Sequence, residues 1–87
     1  MPDKPEIKLT TLNQMRSRQK GKITEIQGGH GLINRLNALG IRPGNQITKV
    51  SSMLMRGPVT AQVNSTRIAI GFGMAKKIIV ETEEKRG

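Results

Sequence analysis

Apolar and polar positions change period several times along this chain, and each change predicts an element. In Gly21 to Gln27 (GKITEIQ), β-branched Ile23, Thr24 and Ile26 predict a strand. Gly28, Gly29 and Gly31 around His30 break any regular element, so a turn is expected there. From about 32 to 39 the period becomes helical. Leu32, Leu36 and Leu39 fall at i, i+4 and i+7, one face of a short helix, with Ile33 beside them. Gly40 suits the left-handed position just past such a helix, which places Ile41 against Leu36 across the cap. Pro43-Gly44 predicts a type II turn, proline fixing one φ and glycine accepting a positive one.

Beyond that turn the signals are all strand. Gln46 to Ser51 is rich in β-branched residues, although Ile47 and Val50 are out of phase. Val59, Ala61 and Val63 alternate with Thr60, Gln62 and Asn64, as a strand with one wet face does. Asn64-Ser65 suits a hairpin turn. Ile68, Ile70 and Phe72 then alternate and are expected in the core, and Met74 to Lys77 has room for one helical turn. Ile78, Ile79 and Val80 form a last strand ending near Glu81. About five short strands, one helix and glycine-rich turns predict a mainly β protein, a small closed or nearly closed barrel. Its expected extent is residues 10–81, between a flexible charged head (1–9) and a charged tail (82–87).

Size makes that barrel necessary. With 87 residues there is one domain, and only 34% of them are hydrophobic. Ordering each residue costs about 1–2 kcal/mol of backbone entropy, so nearly every aliphatic side chain has to be inside. The chain has no cysteine, hence no disulfide and no thiolate metal site. It shows neither an apolar leader nor a run long enough for a bilayer, so a cytoplasmic protein is expected.

Charge narrows the function. The chain carries +9, and from Thr10 to Val80 eleven basic residues face one acid, Glu25, a body charge of +10. A field of that sign favours acidic partners: a protein face, nucleic acid or an anionic membrane surface. Catalysis is not expected. Paired carboxylates are missing from the body, and His30 has no evident nucleophile and orienting acid beside it. Metal binding has one weak candidate, His30, the only imidazole, so no cofactor is required and at most a weakly held divalent transition metal is expected. The glycines around His30 lack the lysine and hydroxyl of a nucleotide loop and are read as structural, as are Gly40, Pro43 and Gly44. Nucleic acid is the main alternative partner. With Phe72 as the single aromatic there is no stacking platform, so nonspecific binding at low salt is what charge alone supports.

The motifs in register carry a resemblance. Gly21 to Ile47 (GKITEIQGGHGLINRLNALGIRPGNQI), GPVTAQV (57–63), IAIG (68–71) and AKKIIVE (75–81) resemble the FeoA family, bacterial ferrous iron transport proteins A. The resemblance implies an SH3-like barrel with a short helix inserted after its first long strand. It also implies a noncatalytic accessory or regulatory role in ferrous iron uptake, at a FeoB-like membrane transporter with a cytoplasmic GTPase domain. Where the family often carries Pro-Gly this chain has Ser17-Arg18, and Lys49 stands at a usually apolar place. Partner contacts are expected from the basic run Arg16, Arg18, Lys20 and Lys22, from Arg35 on the helix, and from Met53, Leu54, Met55 and Arg56. The two methionines with Leu54 are adaptable apolar side chains at a loop, suited to a protein partner or a second copy of this chain.

Overall fold

A computed structural model describes residues 6–52 and 57–84. Its elements are β1 (Glu6–Thr11), a 3-10 turn (Leu12–Gln14), β2 (Lys20–Ile26), α1 (His30–Ala38), β3 (Gln46–Ser52), β4 (Val59–Val63), β5 (Thr66–Ile70), α2 (Phe72–Ala75) and β6 (Ile78–Glu84). The strands form one antiparallel sheet in the order β1-β6-β2-β3-β4-β5. The sheet is open, with β1 and β5 as its edges. Among the described residues no helix is long and apolar enough to cross a membrane.

The core is aliphatic. Leu12, Ile23, Leu36, Ile41, Ile47, Val59, Val63, Ile70, Ile78 and Val80 are fully buried, and Leu32, Ile33, Ile68 and Met74 pack against them. β4 shows the period cleanly, with Val59, Ala61 and Val63 buried and the residues between them half-buried. In β2 and β3 the phase breaks. The ladder slips between Ile23 and Glu25 and again between Lys49 and Ser51, two β-bulges that each leave one residue unpaired. The second slip is why Ile47 and Val50 look out of phase.

Gly21 lies where β2 runs beside β6. A Cβ there would collide with Val80 Cγ1 and stand 3.0 Å from the Glu81 carbonyl oxygen, so only glycine lets the two backbones approach. α1 ends in a full Schellman cap. Gly40 adopts φ +90°, its N–H donates to Asn37 O at 3.0 Å, and Ile41 N–H donates to Leu36 O at 3.0 Å. Pro43-Gly44 closes the next turn, with Asn45 N–H donating to Arg42 O at 3.1 Å.

Several expectations are corrected. Residues 6–9, read as part of a flexible head, are strand, and residues 82–84 of the expected tail extend β6 to pair with them. The sheet therefore has six strands. β1 escapes a sequence reading because its charged residues mask the alternation of Ile7 and Leu9. The helix starts at His30 rather than 32: Ile33 N–H already donates to Gly29 O, and glycines cost little in a first turn whose N–H groups lack helical partners anyway. Leu39 is 46% exposed because it is the cap residue, turned off the face that Leu36 buries. Phe72 opens α2 instead of continuing β5; it is half-buried, with Lys76 Nζ 5.6 Å from its ring centroid. Met53, Leu54, Met55 and Arg56 lie outside the described residues.

One charged side chain enters the interior. Lys49 is 4% exposed, and its ammonium donates to the carbonyls of Asn13 at 2.8 Å and Met15 at 2.6 Å. Burial holds its pKa below the ordinary lysine value. The unfolded chain then keeps this proton at pH values where the folded chain releases it. Stability from this group therefore rises as pH climbs through the lowered pKa toward the ordinary one.

Two outcomes test this architecture. Gly40→Val places a β-branched residue at positive φ with Val63 Cγ1 3.2 Å from its Cβ, and should cost more than about 1 kcal/mol in urea unfolding. Lys49→Met strands two carbonyls, which should cost about 1–3 kcal/mol at neutral pH. The same variant should lose the alkaline rise in stability, measured as the difference from the parent chain across a pH series.

Candidate functional site: a basic turn beside a charged groove

After the 3-10 turn the chain must reverse to enter β2, and it does so over Arg16 to Gln19. Gln19 N–H donates to Arg16 O at 3.0 Å, closing a four-residue turn, and the Gln19 side-chain oxygen accepts from Arg16 N–H at 2.8 Å. Arg18 sits at the third position with φ +70°. That is the position of a type II turn where glycine is free of strain and an arginine is not. The Ser17-Arg18 pair thus performs the reversal that Pro-Gly would make more easily.

The strained turn is clamped from β3. Arg18 N–H donates to Lys49 O at 2.6 Å, and Lys49 N–H donates to Gln19 O at 2.9 Å. With the Lys49 ammonium on Asn13 and Met15, one residue fixes the segment at four points. Arg16 and Arg18 are thereby presented from a rigid, exposed support.

Lys20 and Lys22 continue the run on β2, but in a different environment. Lys22 pairs across the sheet with Glu81 of β6. Both lysines line an open groove of about 500 Å³ with Gln19, Gln46, Glu81 and Glu83. The groove sets these lysines beside carboxylates, whereas Arg16 and Arg18 lie at the turn, outside that lining. The basic run is therefore two sites, a cationic turn and a mixed-charge groove.

The remaining candidates stand apart. Arg35 is exposed in the last turn of α1, and His30 is the exposed first residue of that helix. Among the described residues no three His, Cys, Asp or Glu side chains stand together as a metal-holding set. Lys49 was missed as a positioning residue, although its two-residue spacing from Ile47 puts it on the inward face of a strand.

Arg18→Gly should relieve the positive φ and raise unfolding free energy by about 1 kcal/mol in a denaturant titration. An unchanged or lowered midpoint would show that the turn carries no strain at this residue.

The chain matches the FeoA domain over residues 10–82. A Methanocaldococcus jannaschii protein named Fe(2+) transport protein A is 35% identical over 65 residues, covering 75% of this chain and 77% of that protein. The crystal structure of an iron uptake regulatory protein, FeoA, superposes with a TM-score of 0.79 at 33% identity, over 87% of this chain and 99% of the other. Stenotrophomonas maltophilia FeoA complexed with zinc, described as a procaryotic SH3 domain protein, superposes with a TM-score of 0.74 at 26% identity, over 90% and 99%. The SH3-like fold that the motifs implied is the fold found. With its order of strands, capped helix and turns matched over most of its length, the chain belongs to the FeoA family.

Proposed function

We propose that this chain is a noncatalytic accessory protein of ferrous iron uptake that docks on the cytoplasmic GTPase domain of a FeoB-like transporter. Family membership supports the iron-uptake setting. The observation that supports docking is Arg18, an arginine kept at φ +70° on a turn where glycine would relax the backbone. Strain retained at an exposed residue is a mark of function rather than of stability. A body charge of +10 steers the encounter with an acidic face, and the clamped turn supplies guanidinium groups that bind carboxylates bidentately. The same placement fits a cytoplasmic protein held at the inner face of the membrane through its partner.

Calorimetry with the isolated GTPase domain tests this. Heat is expected at low salt, with affinity falling as ionic strength rises. Arg16→Glu with Arg18→Glu should weaken binding by about tenfold or more while the fold persists by circular dichroism. No heat with both proteins folded would sink the docking role. Saturable nanomolar binding to DNA at physiological salt would favour the nucleic-acid alternative instead.

A further inference from the structure

We infer that the outward face of β6 and β2 docks a mixed-charge amphipathic helix of a partner protein, one with carboxylates at i and i+4 beside lysines or arginines at i+3 and i+7. The cross-strand register lays this face out in rows. Leu9 stands opposite Glu81, Glu81 opposite Lys22, and Lys22 opposite Gln46, one line across four strands. Two residues further along the strands, Ile7 faces Glu83 and Lys20 faces Thr48. The residues between them, Gly21, Ile47 and Thr82, are buried, so the rows point outward. Across the sheet the face thus runs from an apolar stripe to an acidic one, a basic one and a polar one. Ile7 and Leu9 are 62% and 67% exposed, the highest values among the described large apolar side chains. The two charged stripes line the groove of about 500 Å³. Among the described residues no salt bridge joins these stripes, which leaves all four charges to a partner.

Charge and spacing select the occupant. Nucleic acid or an anionic membrane would be drawn to Lys20 and Lys22 but repelled by Glu81 and Glu83 one strand away. An extended peptide turns a single row of side chains toward the sheet, so it answers one charged stripe and not both. A helix answers both. The four charges form a lattice with about 4.8 Å between strands and about 6.7 Å along them. Helical positions i and i+4 are about 6 Å apart along the axis, and i and i+3 lie side by side with about 5–6 Å between Cβ atoms. A helix laid along β2 and β6 therefore sets its acidic row on Lys20 and Lys22 and its basic row on Glu81 and Glu83. The next row, i+6 and i+10, falls over Ile7 and Leu9 and is apolar. The α1 helix of this chain has Arg35 as its one formal charge at neutral pH and cannot be that helix. A second copy laid face to face would match the charges but set Ile7 and Leu9 against the polar stripe of Gln46 and Thr48.

The probe is an alanine-based helical peptide of about 20 residues with this charge pattern and leucines at i+6 and i+10. Titrated into the full chain and followed by NMR, it should bind saturably below about 1 mM. Amide shifts are expected at Leu9, Lys22, Glu81 and Gln46. Lys20→Glu with Lys22→Glu should weaken binding by about tenfold or more, and a peptide with lysine at all four charged positions should recover it. Ile7→Ser with Leu9→Ser should weaken it as well, circular dichroism showing that each variant folds. Arg16→Glu with Arg18→Glu, which removes docking through the arginine turn, should leave peptide binding unchanged, so the two surfaces fail separately. No binding up to about 1 mM would overturn the inference. So would equal binding of a peptide with the same residues in scrambled order, shifts confined to other faces, or a face-to-face dimer that occupies the stripes.

Discussion

Between the first two strands the chain crosses the end of the sheet, and what holds it there is the ammonium of Lys49 on the carbonyls of Asn13 and Met15. Those carbonyls belong to the 3-10 turn and its C-cap residue, the segment that delivers Leu12 and Met15 into the core. Without a donor they would be desolvated and unpaired, so the apolar plug and the polar tie come as one unit. The backbone of the same residue then catches Arg18 and Gln19. Burying a lysine is costly, and the lowered pKa records that cost. In return a short segment with few apolar residues is fixed along its length.

That tie is also where fold meets function. A turn left loose would let arginine escape the left-handed region; a turn clamped on both sides of the reversal cannot. The guanidinium of Arg18 is therefore held on a scaffold rather than on a mobile loop, and less entropy is lost when a carboxylate binds it. Beside it, Lys20 and Lys22 have acidic neighbours in Glu81 and Glu83. Formal charge overstates how evenly this surface attracts acids, because part of it is balanced locally.

Much of this was legible in the residues. The helical period of Leu32 and Leu36, the glycine stop at Gly40 and the alternation through Val63 each encode their element locally. The slip in β3 was legible only as the odd phase of Ile47 and Val50, since which residue a bulge leaves unpaired is fixed by what the neighbouring strand offers. β1 was hidden for a related reason: Glu6 and Lys8 look like solvent-loving ends until β6 lies beside them. The basic run was visible as charge, but its division was not, because the carboxylates that balance Lys20 and Lys22 come from the far end of the chain. Lys49 could have been found by parity with Ile47; that a lysine is tolerated inside depends on two carbonyls more than thirty positions away.

The place of β6 in the sheet has a consequence for how the molecule is made. It lies between β1 and β2, and the ladder joins Lys8 to Thr82, 74 positions apart. During synthesis β1 emerges first and has no strand to bond until β6 follows, whereas β2 finds β3 on one side only. β2 through β5 can assemble as consecutive hairpins, yet one flank of β2 stays bare meanwhile. Such distant pairing slows folding and prolongs the exposure of sticky intermediates. Pairing of β6 with both β1 and β2 is thus the step that completes the sheet.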